Sequence, residues 1–200
     1  MRKEKLEELH HLIEELKTVN KERLFEPCSF LKSEVYQCYL NNGQMIKREK
    51  IIKGEKEGSA VIILPVIEDD KVILIVEPRV FSKRTVGIGL PAGYIEKKEP
   101  SYGAAVRELE EEIGYMPKRL ISLGGFYQDM GCSSAYNECF LALDCYKAGN
   151  QHLDEGEYIK YFNCYYDEAL ELINMGYIEG CNAIITLERA KKYMKVRNKK

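Results

Sequence analysis

Two apolar runs set the terms for what this chain can fold into. Ala60-Val61-Ile62-Ile63-Leu64-Pro65-Val66, continued by Ile67, and Val72-Ile73-Leu74-Ile75-Val76 flank the charged turn Glu68-Asp69-Asp70-Lys71. Both runs are short, rich in β-branched residues and without polar alternation. Such a run is a strand covered on both faces rather than one lying half in water. With the turn between them, the two runs predict a buried antiparallel pair. Neither approaches the ~20 apolar residues a bilayer-spanning helix needs.

The neighbouring segments supply the cover. Residues 101–113, 167–175 and 182–195 read as helices, with Asp167 near a cap and Gly176 at a helix end. Strands recur at 120–128, 135–144 and 158–165, and residues 79–89 are polar and irregular. This order predicts an α+β sandwich in which helices cover a mixed sheet. Upstream, Leu6, Leu9, Ile13 and Leu16 lay a narrow apolar stripe along a charged helix over residues 1–20. The stripe must lie against the rest of the domain or against a second subunit. Asn41-Asn42-Gly43 between β-rich residues predicts a hairpin. The expected organisation is a helix and β-rich arm over 1–57, followed by the main domain over 58–200.

Composition narrows the function classes. The chain has 200 residues, is 45% hydrophobic and 31% charged, and carries a formal net charge of −2. That balance belongs to one globular domain, and no strong field draws it to nucleic acid. Met1-Arg2-Lys3-Glu4-Lys5 leads into a charged amphipathic segment rather than a secretory signal, so the expected address is cytoplasmic, without a membrane partner. The seven cysteines show no CxxC pair, and their irregular spacing suits small residues in a reduced core. His10 and His11 lack a third ligand candidate nearby and read as surface or packing residues.

The chemistry concentrates in residues 93–115, GYIEKKEPSYGAAVRELEEEIGY. On a helix Glu108 and Glu112 share one face, with Glu111 flanking it and Arg107 at the edge. Leu109 and Ile113 turn to the opposite side and can enter the core. Like charges at this spacing repel, which a divalent hard cation such as Mg²⁺ would offset. Glu99 can reach the same centre. The Leu90-Pro91-Ala92-Gly93 loop can present a bare carbonyl. Taken alone, Glu110-Glu111-Glu112 would read as a solvated charged face.

The full spacing is more specific. Gly93, five residues, Glu99, seven residues, Arg107-Glu108-Leu109, one residue, Glu111-Glu112, one residue, Gly114 and the apolar Tyr115 resemble the box of the Nudix hydrolases at all nine specified positions. The resemblance implies a Nudix-type α/β/α sandwich with a mixed β-sheet, here with a β-rich N-terminal extension preceded by a helix. It implies Mg²⁺-dependent hydrolysis of a nucleoside diphosphate linked to another group, with Mn²⁺ as a possible substitute. By the family pattern, Glu108 and Glu112 would be metal ligands, with Glu111 a ligand or positioning group. The Ala92 carbonyl would be a further ligand, and Arg107 would orient the carboxylates.

Features outside the box resemble the ADP-ribose pyrophosphatase branch. They are the Leu-Pro-Ala-Gly opening, Arg79 after the second apolar run, and the N-terminal extension, which in that branch commonly builds a homodimer. Arg79, Arg84, Met130 and Gly131 would then contact substrate. Glu155, with Glu157 second, would supply a catalytic base. Phe30, Tyr36 and Tyr39 are positioned to stack on a nucleobase. Gly89, Pro78 and Met130 depart from the branch pattern. ADP-ribose and related nucleoside diphosphate sugars therefore stand beside GDP-mannose, UDP-glucose and dinucleoside polyphosphates as substrates. A non-catalytic nucleotide-sugar sensor is the reading from another class.

Overall fold

A computed structural model describes residues 1–54 and 56–197; Glu55, from the expected arm, and 198–200, from the expected main domain, lie outside the described residues. Helix α1 (Lys3–Leu16) precedes a hairpin of β1 (Leu31–Tyr39) and β2 (Met45–Lys53). There follow β3 (Ala60–Pro65), β4 (Lys71–Pro78), β5 (Val86–Gly89), β6 (Ala92–Tyr94) and α2 (Ser101–Ile113). The chain continues through β7 (Tyr115–Met116), β8 (Arg119–Tyr127), β9 (Tyr136–Leu143), β10 (Tyr146–Lys147) and β11 (Lys160–Tyr165). Helices α3 (Tyr166–Asn174) and α4 (Cys181–Arg197) close the described chain.

The two apolar runs are the central strands, but they are not each other's ladder partners. β3 lies between β6 and β9 in a mixed four-stranded sheet ordered β6-β3-β9-β8, with β3 parallel to β9. β4 lies between β11 and β5 in a three-stranded antiparallel sheet. The expected β3–β4 pair is thus reduced to one bridge, Val66 opposite Val72, beside the turn. Asp69 and Asp70 in that turn take φ values of 57° and 55°, the left-handed values of a tight hairpin turn, yet the ladder goes no further than the bridge. Each strand then finds backbone partners on both of its own edges.

The double cover itself is present. Val61, Ile63, Ile73 and Ile75 face one side, where they meet Ala104, Ala105, Leu109 and Ile113 of α2. Ile62, Leu64, Leu74 and Val76 face the other, where they meet Leu9 and Ile13 of α1, Leu172 of α3 and Leu187 of α4. The result is an α+β sandwich with helices on both sides of a mixed-sheet centre. Cys139, Cys145 and Cys164 are buried small residues of this core. Leu109 is fully buried, and its truncation to Ala would cost about 2–5 kcal/mol.

The stripe of α1 is satisfied within the domain. Leu9 and Ile13 are buried, and Leu12 and Leu16 pack beside them. Lys160 Nζ pairs with Glu15 at 3.0 Å, and Arg2 holds Glu168 of α3 through its backbone N–H and its guanidinium, each at 2.8 Å. The hairpin forms at Asn41-Asn42-Gly43, with Gly43 at φ 81° and pairing from Leu31↔Lys53 to Tyr39↔Met45. Unlike α1, it leaves Val35, Tyr36, Tyr39 and Met45 exposed. None of the described helices is long and apolar enough to cross a membrane.

Candidate active site

Helix α2 starts after Pro100 and ends at Gly114, whose φ of 69° is the left-handed cap that glycine accepts without strain. Its apolar face is locked into the core, so its carboxylate face is fixed as well. Glu108 and Glu112 are buried, at 8% and 4% exposure, far from the solvated state usual for glutamate. Both point to the edge of the sheet where β6 passes. Glu112 Oε2 accepts the Ala92 N–H at 3.1 Å. In a strand a residue's N–H and C=O lie on the same side, so the Ala92 carbonyl also faces α2. Gly93 leaves the space that Glu108 occupies, because a Cβ there would overlap the carboxylate.

Arg107 organises the acidic face. Its Nη1 donates to Glu108 at 2.7 Å and to Glu111 at 2.8 Å. Its Nε and Nη2 form a two-point contact with Glu99, each at 3.0 Å, and Nη2 also donates to the Tyr94 carbonyl at 3.1 Å. These partners hold the Arg107 guanidinium firmly charged, the Glu99 hydrogen bonds contributing most. Arg107 does not cancel the whole cluster. Burial pushes the Glu108 carboxyl up to about 7, against the opposing pull of Arg107. Burial raises Glu112 well above the usual carboxylate range, and the charges of Glu108 and Glu77 add to it.

The loop before β11 caps this helix. Gly114 O accepts the Ala148 and Gly149 N–H groups at 2.9 and 3.2 Å, Glu111 O accepts from His152 at 2.8 Å, and Gln151 Nε2 donates to Glu112 O at 2.6 Å. The last carbonyls of a helix need such partners, and satisfying them brings the loop to the site. A groove of about 440 Å³ results, lined by Glu108, Glu111, Glu112, Arg107, His152, Asp154 and Glu157 together with Glu77 and Arg79. A second cavity of about 530 Å³ opens beyond Glu77 and Arg79, bordered by Tyr94, Asn137, Tyr177 and Asn182.

The expected residues divide accordingly. Ala92, Arg107, Glu108, Glu111, Glu112 and Arg79 meet in one groove, together with Glu157. Glu155, the preferred base by sequence, does not line it; the turn through Gly156, at φ 89°, carries Glu157 there instead. Arg84 lines neither cavity. Its guanidinium donates to Gly176 O at 2.5 Å, pairs with Glu179 at 3.2 Å and stacks over Tyr177 at 4.9 Å, which makes it a buttress of the second cavity. Met130 and Gly131 also lie outside both cavities, and Met130 is 79% exposed. Of the aromatic candidates, Phe30 contacts Tyr94 with ring centroids 5.6 Å apart. Tyr36 and Tyr39 are exposed on the hairpin.

Glu77, Tyr94 and Asn137 also line these cavities, beyond the residues expected from the sequence. Glu77 is a carboxylate at the end of an apolar strand, held above its ordinary range by burial and drawn back by Arg79. Its signal was the polar Glu77-Pro78-Arg79 stop to a buried run. Asn137 is 1% exposed, accepts from Ala60 N–H at 3.2 Å and donates to Asn182 Oδ1 at 3.2 Å.

A family model described as the NUDIX domain matches residues 56–179, which contain the groove and every residue on its walls. The chain belongs to the Nudix family. Its relatives within and beyond that domain include the ADP-ribose pyrophosphatase of Bacillus subtilis (strain 168), 34% identical over 161 residues, 80% of this chain and 83% of that one. The methanol dehydrogenase activator of Bacillus methanolicus is 29% identical over 175 residues, 87% of this chain and 91% of that one. A solved ADP compounds hydrolase covers 91% of this chain with 96% of its own, at a TM-score of 0.73 and 23% identity, and shows the shared fold. This Nudix hydrolase therefore has the sandwich that the box implied, with the box residues on α2 and on the strands and turns that flank it.

Proposed function

We propose that this Nudix hydrolase cleaves the pyrophosphate bond of ADP-ribose or a related nucleoside diphosphate sugar, releasing a nucleoside monophosphate and a sugar phosphate. One observation carries the reading. Two buried carboxylates, Glu108 and Glu112, line a groove that Arg79 also lines, and Glu77, Arg79, Ala92, Gly93 and Tyr94 border both that groove and the second cavity. A diphosphate fits between a cation-binding acidic wall and an arginine, and the attached group has the second cavity to enter. The similarity to the Bacillus subtilis ADP-ribose pyrophosphatase supports ADP-ribose as the first substrate to try.

The donor set suits Mg²⁺. Carboxylate and carbonyl oxygens are the ligands of that hard cation, and here Glu108 and Glu112, both lying against β6, would supply carboxylates and Ala92 a carbonyl. The Glu108 and Glu112 carboxyls sit above the ordinary range because their charge is under-compensated, which a divalent ion would correct. Among the described residues no three His, Cys, Asp or Glu side chains already converge as a closed cage. Arg107 Nη1 spans Glu108 and Glu111 instead, and must release Glu108 to a cation. Bound Mg²⁺ would supply the positive charge that a diphosphate's oxygens need during cleavage.

The chain's own residues do the rest. Arg107 keeps Glu111 and Glu99 in register with the metal-binding pair. Arg79 grips the diphosphate within the groove with charge-assisted hydrogen bonds. Glu157 takes a proton from the attacking water as its oxygen bonds to phosphorus, and the bridging P–O bond breaks to leave the second phosphate. The exposed apolar residues of the β1–β2 hairpin support a homodimer built through that arm.

The test is product analysis. Protein with Mg²⁺ is given ADP-ribose, GDP-mannose, UDP-glucose and diadenosine polyphosphates in parallel, and nucleotide release is followed by chromatography. AMP from ADP-ribose well above the other products is expected. Preference for another nucleotide would move the substrate assignment, and turnover of none with Mg²⁺ or Mn²⁺ would favour the sensor reading.

A further inference from the structure

Arg79 lines both cavities together with Glu77, Ala92, Gly93 and Tyr94, and among these shared residues it is the cation. Its side chain is 62% exposed, and a free arginine of that kind samples many rotamers. Three contacts restrain the residue, one at its backbone and two along its side chain. The Arg79 N–H donates to Thr85 O at 2.8 Å, fixing the backbone where β4 leaves β5. Arg79 Nη2 meets Glu77 Oε1 at 2.5 Å, and Glu77 is itself only 19% exposed, so the acceptor is held in place. The stem crosses Gly87, directly opposite Glu77 in the β4–β5 ladder.

Gly87 is the informative part. Its φ lies outside the left-handed range, so the backbone does not demand glycine. Glycine inside a strand weakens it, and its presence marks close approach of another group. Here that group is the Arg79 stem, since a Cβ on Gly87 would lie 2.6 Å from Arg79 Cγ. The stem bears on Gly87 and the guanidinium on Glu77. Of the five donors on an arginine side chain, those not turned to Glu77 remain for a ligand at the junction of the two cavities.

We infer that Gly87 is a positioning residue that acts through Arg79: its missing side chain seats the Arg79 stem, and this seat sets the affinity for the diphosphate of a nucleotide substrate. The inference rests on the reading of the groove as a nucleoside diphosphate site. A seated arginine loses little conformational freedom on binding, so its hydrogen bonds appear as affinity. A methyl group at Gly87 would lift the stem and swing the guanidinium away from the junction.

The test uses ADP as the probe, with titration calorimetry on the full chain in Mg²⁺, beside steady-state hydrolysis of ADP-ribose. Arg79→Ala is expected to weaken ADP binding about tenfold, the scale of a lost charge-assisted hydrogen bond. Gly87→Ala is expected to weaken it by a similar factor, and the double variant to be no weaker than Arg79→Ala. In hydrolysis, Gly87→Ala should raise KM by that factor with kcat within about twofold, as loss of uniform binding requires. Should Gly87→Ala unfold the chain, adding Arg79→Ala must restore the thermal midpoint, because the stem is what the methyl meets. Failure to restore it overturns the seat. Gly87→Ala binding ADP as tightly as wild type, or two effects that multiply in the double variant, also overturns the seat while the substrate reading stands. Wild-type protein that binds no ADP overturns both.

Discussion

Gly93 carries no side chain at the point where the Glu108 carboxylate lies against β6. The backbone of β6 and the acidic face of α2 therefore approach closely enough for Ala92 and the two buried glutamates to share one centre. Gly93→Ala must push either the strand edge or Glu108 away. The φ of Gly93 is outside the left-handed range, so the fold should survive while kcat falls about a hundredfold, the scale of a 1 Å displacement at a reacting centre. Steady-state kinetics with circular dichroism as the fold control checks this.

Removing charge from the pair separates metal binding from folding. Glu108→Gln and Glu112→Gln keep side-chain shape, and each should lower kcat by about 10²–10³-fold. Wild-type protein should gain thermal stability as Mg²⁺ is added, because an ion bound only by the folded state stabilises it. Either glutamine variant should lose most of that gain. Calorimetric midpoints across an Mg²⁺ series provide the measurement, independent of turnover.

The loop offers a choice between two glutamates. Glu157 lines the groove and Glu155 does not. Glu157→Gln should therefore cost about 10²–10⁴-fold in rate, the usual share of a general base, and Glu155→Gln should stay within about twofold of wild type. Parallel kcat values for the two variants decide the assignment.

Acid stability should depend on the α1–α3 contact. Hydrogen bonds from Arg2 hold the Glu168 carboxyl down at about 2, below its ordinary value of 4.5. A carboxyl lowered in the folded state binds fewer protons there than in the unfolded chain, so stability rises with pH through this window. The contribution is fully present above about 4.5 and disappears as pH falls towards 2. Glu168→Gln should lower the thermal midpoint at pH 7 by a few degrees. It should also flatten the decline between pH 4.5 and 2. Melting curves over that range test the sign.

Much of this site could be read from the chain because one helix carries it. A 3.6-residue repeat fixes which face Glu108, Glu111 and Glu112 share, and Leu109 and Ile113 fix the face that is buried. The Asn41-Asn42-Gly43 hairpin was similarly local. What escaped was set by pairing across long separations. β3 and β4 look like partners, yet each is saturated by other strands, and no local pattern encodes that choice. Glu77 enters the groove because β4 pairs with β5, and Arg84 leaves it because Gly176 and Glu179 claim its guanidinium. The stripe on α1 showed that a partner was needed, and only the packing of Leu9 and Ile13 identified it as the chain's own core.

In the proposed function, Glu108 and Glu112 hold the cation with which this chain splits a nucleoside diphosphate sugar. The direct measurement is AMP and ribose phosphate release from ADP-ribose across an Mg²⁺ titration, for wild type and Glu108→Gln. The expected result is equal amounts of the two products, a rate that rises to a plateau with Mg²⁺ and vanishes with a chelator, and near-complete loss in the variant. Release that persists in the chelator, or a Glu108→Gln enzyme as fast as wild type, would contradict it.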